Sequence, residues 1–194
     1  MRGVKICAAF MGIAAGLTGQ LAHAQDAREV RVGLTLVPAP LGGLDDNGTR
    51  VGSEFAFGVM PTVDVALHPN LFVGVASNVT FHVRARGAAD DVAPGRETDL
   101  LLRLGAGLAA GERLHFYGYF APGYGFMSGF PQGDTFGGWV IGLHAGARVD
   151  ASPRFFLNGE VGYQHGFQRA TIDGVEGHFG ASWVQVGLGV GVRV

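Results

Sequence analysis

The chain has one cysteine, Cys7, and one lysine, Lys5, and both lie within its first 24 residues. Beyond that point no disulfide, thiol nucleophile or cysteine-ligated metal is possible. Charge is scarce as well, at 15% of residues, and the formal net charge is only −2 with no run of bases. That excludes the basic footprint of a nucleic-acid-binding protein. No stretch after residue 24 approaches the roughly 18 unbroken apolar residues that read as a membrane-spanning helix. Yet 47% of the residues are hydrophobic and 34 are glycine, a mixture that needs a structural reason.

Arg2 and Lys5 begin a short stretch that is apolar from Ile6 to Leu17 and ends in Ala22-His23-Ala24. A positive start, an apolar stretch too short to span and a small-x-small site together make a secretory signal peptide. Residues 1–24 are therefore expected to be removed, leaving 25–194 as one domain. Cys7 stands at the start of the apolar stretch, away from the cut, so it is not a lipoprotein anchor.

What remains alternates with period two. Between Val51 and Leu67, the residues Val51, Phe55, Phe57, Val59, Val63, Val65 and Leu67 share one face with Ser53 and Pro61. Gly52, Glu54, Ala56, Gly58, Met60, Thr62, Asp64 and Ala66 share the other. Successive strand side chains point to opposite faces, so this is a strand with two different neighbours. The pattern recurs from Val30, from Leu71, from Asp99, from Leu114, from Trp139, from Phe155 and from Val184 to Val194. Over 114–126 the expected outward set is Leu114, Phe116, Phe120, Tyr124 and Phe126. Pro61 and Pro122 cannot donate to a ladder, and each is expected to mark a bulge or a local break.

Three connections are tight, at 68–70, 110–113 and 151–153, and four are longer and polar, roughly 38–50, 85–96, 127–136 and 168–180. Eight strands joined in this way predict an all-β, antiparallel up-and-down barrel with both termini on the short-turn side. A soluble barrel such as a lipocalin has the same strand count, but it turns its apolar face inward. Here the apolar face carries no Asp, Glu, Lys or Arg. The other face holds Arg31, Glu54, Asp64, Arg84, Asp99, Arg103, Arg148, Glu160 and Arg193 and most strand glycines. A midplane arginine facing lipid costs roughly 2 to 4 kcal/mol, so this distribution predicts a transmembrane barrel with lipid outside and a polar interior. Phe55, Phe81, Tyr124, Phe126, Trp139 and Tyr163 toward the loops, with Phe116 and Phe155 near the short turns, form two aromatic girdles.

On these features residues 25–194 resemble the small outer-membrane barrels of Gram-negative bacteria, the OmpA-transmembrane-domain and OmpX-like group. The resemblance implies a terminal signal read by the barrel-assembly machinery, whose spacing Gln185, Gly187, Val190 and Val192 fit, although many members end on an aromatic residue and this chain ends on Val194. It also implies the bacterial outer membrane as location, with membrane lipids and lipopolysaccharide as neighbours. The peptidoglycan-binding domain of longer relatives is not expected.

Enzymes of this architecture use motifs that can be sought directly. No histidine has a serine two places on, as in the lipid A deacylases, and no Asp-Ser step occurs, as in the palmitoyl-transferring barrel. A lipid A-modifying activity is therefore disfavoured, and no catalytic, cofactor or metal site is expected. The paired acids Asp45-Asp46 and Asp90-Asp91 lack the spacing of a calcium loop. What stands out is the inner face. Buried charges persist only when paired, so Glu54, Asp99, Arg103, His144, Arg148 and Glu160 are expected to form a lumen network. His144 and His82 there are either a proton-sensitive gate or hydrogen-bonded residues of a wet interior. Side chains can just fill an eight-stranded barrel. The expected function is thus a monomeric, non-enzymatic barrel with a structural or surface-interaction role and a plugged lumen. The alternative is a narrow, porin-like pore for ions or small solutes, since glycines remove bulk.

Overall fold

β-Branched and aromatic residues recur along the strands and favour an extended backbone. The computed structural model describes residues 29–46, 49–85, 96–128, 136–172 and 175–194, and among them it contains strands and no helix. The expected signal segment 1–24 and the acids Asp90 and Asp91 lie outside the described residues. The strands are β1 (Val30–Ala39), β2 (Leu41–Asp46), β3 (Thr49–His68), β4 (Leu71–Ala85), β5 (Arg96–Ala109), β6 (Leu114–Ser128), β7 (Phe136–Asp150), β8 (Phe155–Ile172) and β9 (Val175–Arg193). From β3 to β9 each strand pairs antiparallel with the next. β1 and β2 both lie between β3 and β9 and are two halves of one barrel strand. The result is the closed, eight-stranded up-and-down barrel that the alternation predicts. Closure leaves no free sheet edge, as a lipid setting demands.

Register shifts fall away from Pro61 and Pro122: β3 slips against β4 between Ser53 and Ala56 and between Ala66 and His68, and a further shift lies in the first barrel strand. Pairing with β9 passes from Leu36↔Leu188 to Leu41↔Val184, so five residues advance on one strand against four on the other. The extra residue falls beside Pro40, which has no N–H to place in a ladder. Through Pro61 and Pro122 the register runs unshifted. Each leaves a gap in one ladder and keeps its pairing in the other, Leu34↔Pro61 and Pro122↔Ile141. These two prolines mark local breaks, not bulges.

Two of the four expected long loops are in large part strand. β2 continues to Asp46 before β3 begins at Thr49, and β8 and β9 stay paired to Ile172↔Val175. The apolar alternation fades there because an outer face standing above lipid needs no grease, while backbone pairing continues regardless of side chain. The short turns fall as expected; in the one at 110–113, Gly111 takes φ +152°, a conformation suited to glycine.

The faces follow the predicted parity. Trp139 and Leu143 are 69% and 67% exposed on the outside, and Leu34, Phe57, Phe116, Phe120, Tyr124, Phe126 and Val190 are exposed with them. Inside, glycines seat their neighbours' rings. A Cβ on Gly105 would run into the Phe72 ring, one on Gly162 into the His144 ring, and one on Gly42 into the Trp183 ring. The abundance of glycine therefore does not empty the lumen; it makes room for large side chains reaching across from adjacent strands.

Candidate functional site: the barrel lumen

The inner face is organised in layers along the barrel axis. At the short-turn end, Arg31 and Arg193 both contact Glu29, the latter at 3.3 Å. Arg193 also pairs with Asp150, which takes Arg148 Nε at 3.3 Å and His115 Nε2 at 3.0 Å. This belt ties the first strand to the last and to β6 and β7. Burial pushes the Glu29 carboxyl up, but the Arg31 hydrogen bond and the charges of Arg31, Arg193 and Arg148 outweigh it and hold the group below its usual range. A depressed carboxyl stabilises the fold above its unfolded-state pKa of about 4.3 and loses that contribution as pH falls through the folded value. Glu29→Gln is therefore expected to lower the urea midpoint modestly near neutrality, where the contribution is fully present but solvent screens a half-exposed group, and to converge with the wild type as pH falls below about 4.3.

A cavity of about 610 Å³ opens at this end and reaches inward to Asp64, Arg103, Tyr117 and Phe72. There Arg103 Nη1 donates to Asp64 Oδ2 at 2.6 Å. The guanidinium lies 4.2 Å from the Tyr119 ring centroid, and Tyr119 stacks on His144 at 4.6 Å with 3° between planes. Tyr117 and Tyr119 each donate a hydroxyl to Glu160, at 2.9 and 2.8 Å, and His144 Nδ1 stands 3.9 Å from the same carboxylate. Against this layer packs an apolar cluster that includes Val37, Met60, Ala76, Leu101, Ala121 and Val140, all buried. Beyond it, toward the loops, Gln164 Nε2 donates to Asp99 Oδ2 at 2.6 Å, with Glu97, Gln168, Asn78, Thr80 and Trp183 also buried.

Of the six residues expected to form one network, Arg103, His144 and Glu160 are brought into a single layer. Asp99 belongs to the layer above and Arg148 to the belt below, so the charges form three groups. The side chain of Glu54 lies outside the described residues. Asp64, the direct partner of Arg103, shares the inner face in sequence, but parity gives no height along the axis. The tyrosines that hold Glu160 were absent from the expected set because an aromatic-rich strand hides which rings are polar anchors. Glu97 was missed because it abuts an expected loop boundary, although it lies two residues from Asp99. In the expected assembly signal, Gln185 and Gly187 face inward and Val190 outward, with Val192 partly covered.

The outer face carries one polar contact that a motif search along the chain could not find. His165 Nδ1 lies 2.8 Å from Ser182 Oγ across the β8–β9 pair, and Tyr163 donates to the same oxygen at 3.1 Å. Among the described residues no carboxylate orients the imidazole, and the surrounding backbone N–H groups are spent in the ladders. The trio satisfies its own hydrogen bonds at the level of the aromatic girdle, which is what polar groups beside lipid require. No three His, Cys, Asp or Glu side chains gather as a metal cluster among the described residues.

No protein-family model and no curated protein matches the chain. Solved structures do. Neisserial surface protein A superposes with a TM-score of 0.60 at 9% identity, over 85% of this chain and 97% of its own. Ail, the attachment invasion locus protein of Yersinia pestis, solved in complex with the heparin analogue sucrose octasulfate, gives 0.54 at 15% identity over 86% and 99%. The outer membrane protein OprG of Pseudomonas aeruginosa gives 0.53 at 13% identity over 86% and 95%. At such identities the likeness concerns the fold, and the fold is that of the small outer-membrane barrels.

Proposed function

We propose that the chain is a monomeric, non-enzymatic barrel of the bacterial outer membrane, exported by cleavage after Ala24, whose lumen is closed and whose working part is the surface beyond the membrane. One observation carries this reading. The cavity from the short-turn mouth reaches the Arg103–Asp64 pair, and the Tyr119–His144 stack and the buried apolar side chains of Val37, Met60, Leu101 and Val140 pack in the barrel with it. An ion entering from below meets the paired charge of Arg103 and Asp64 and then a layer that includes these apolar side chains. On the opposite end, β8 and β9 remain paired for five residues beyond Phe167↔Gly180, about 17 Å of strand at the usual rise. That wall supplies a rigid platform for an external partner.

Several features support the location. The outer face is apolar between aromatic girdles, and Arg96 and Arg169 are exposed just past them, where lipopolysaccharide headgroup phosphates would stand. Gln185, Gly187, Val190 and Val192 suit recognition by the barrel-assembly machinery. The likeness to Ail, named for attachment and invasion and solved with a sulfated ligand, supports a surface-interaction role over transport.

Planar-bilayer recording of the refolded barrel, after a heat-dependent gel shift establishes folding, tests the proposal. Silence is expected. Discrete current steps that change with Arg103→Ala or Glu160→Gln would overturn the closed lumen and make the protein a narrow pore.

A further inference from the structure

The belt at the short-turn mouth has one guanidinium more than its carboxylates can hold. Glu29 Oε1 is shared by Arg31 and Arg193, which are also direct cross-strand partners. Asp150 is shared by Arg193, Arg148 and His115. Three arginines thus lean on two acids, and the shared oxygens bring them side by side. The other two carboxylates on the cavity wall do not redress this. Asp64 is taken by Arg103 at 2.6 Å, and Glu112 is exposed on the 110–113 turn.

The surplus falls on Arg148. It is 8% exposed, yet its Nε stands 3.3 Å from Asp150 Oδ1 without a hydrogen bond, and no other described residue accepts from it. Its guanidinium is held over the Phe156 ring at 5.6 Å, and that ring fills the place a Cβ of Gly191 would take. The charge is therefore fixed on the wall of the 610 Å³ cavity, with five N–H donors and no acceptor of its own. Buried donors left unmade and a buried charge left unpaired both cost stability. Water in the cavity can meet the donors but carries no charge. An anion meets both needs.

We propose that this cavity is a site for a small organic carboxylate entering from the short-turn side, its head taken by Arg148 beside Arg193 and its body lying against Phe156, Tyr117 and Phe72. A planar carboxylate matches the guanidinium fork with two parallel hydrogen bonds. One negative charge evens the count of three to two, whereas a phosphate dianion overshoots it. All three rings line the cavity together with both arginines, and its volume lies within the range of about 300–1,000 Å³ usual for small-molecule sites. The site goes beyond the closed-lumen reading and does not rest on it, because the cavity opens at the mouth whether or not the lumen is sealed above.

The full chain is refolded from urea into micelles of an uncharged detergent, and para-fluorobenzoate is titrated in by fluorine NMR, with barrel-free micelles as the blank. The expected result is a saturable shift that unlabelled benzoate reverses and that para-fluorobenzamide, its neutral counterpart, does not give. Arg148→Gln should weaken binding at least about tenfold, the factor for a hydrogen bond between charged groups. Arg148→Lys keeps the charge but loses the fork, so it should fall between the two. Inorganic phosphate should compete less well than benzoate at equal concentration. If phosphate displaces the probe better, the site is one for phosphate and the carboxylate assignment is overturned. A shift no greater than the blank, one that the benzamide gives equally, or one undiminished in both variants overturns the site altogether. Should neither variant give the heat-modifiable band, the comparison of benzoate with benzamide on the wild type decides.

Discussion

Arg103→Ala is expected to destabilise the barrel by about 3–5 kcal/mol, the cost of removing one partner from a buried ion pair. Asp64 would be left at the inner end of the vestibule without its counter-charge, in a layer where the side chains of both partners are nearly enclosed. The guanidinium also lies over Tyr119, whose hydroxyl holds Glu160. Truncation therefore loosens both halves of the middle layer, and the cation–π contact adds about 0.5–2 kcal/mol to the loss. The double replacement Arg103→Met with Asp64→Leu should recover most of the stability, because apolar residues of similar volume commonly equal a buried pair. Urea midpoints of the two single variants and the double, followed by gel mobility, give the coupling energy directly. If Arg103→Ala stays within about 0.5 kcal/mol of the wild type, water from the vestibule solvates Asp64 and the layer is not a seal.

That pair shows how far the sequence reaches. Period two is imposed by the backbone itself, so Val63 and Val65 facing out while Asp64 faces in is legible without coordinates. So is the inversion, because no charge interrupts the outer set. Height along the barrel axis is not legible. It depends on how each strand is staggered against its neighbours, and only that stagger places Arg103 of β5 opposite Asp64 of β3 with β4 between them. The six inner residues thus look like one network in sequence and resolve into three layers in the fold.

The boundaries failed for a related reason. Hydrophobic alternation reports contact with lipid, not the existence of a strand. Beyond Phe167 the outer face meets water, the alternation ends, and β8 and β9 continue to Ile172 and from Val175 through backbone pairing alone. Proline was informative in part, since Pro61 and Pro122 do mark local breaks, one of the two outcomes expected of them. Pro61 and Pro122 sit on strands that can forgo one hydrogen bond, while Pro40, in a stretch that reads as loop, shifts the register. The His165–Ser182 contact was invisible because the motif sought was a step of two along one strand, and the structure makes it between two.

Gly105→Leu is expected to prevent the folded barrel from accumulating. In sequence Gly105 looks like an inner position left empty, and leucine there should fill space and stabilise. The structure reverses the sign, because the Phe72 ring occupies the volume that the glycine leaves, and any Cβ would overlap it. The ring borders the cavity, but swinging it aside breaks its edge-on contacts with Tyr117 and Tyr119 at 6.5 and 6.4 Å and its contact with Arg103 at 5.7 Å. Overpacking of this kind costs about 1–3 kcal/mol where neighbours can yield and more where they cannot. The heat-modifiable band should therefore be lost on refolding. Pairing Gly105→Leu with Phe72→Ala returns the volume to one place in the layer and should restore that band. Gly159→Ala is the control, since its Cβ would meet nothing nearer than 3.7 Å, and it should fold like the wild type. If Gly105→Leu folds and the double does not, the lumen is looser than its packing implies, and the glycines mark space for solvent instead of seats for rings.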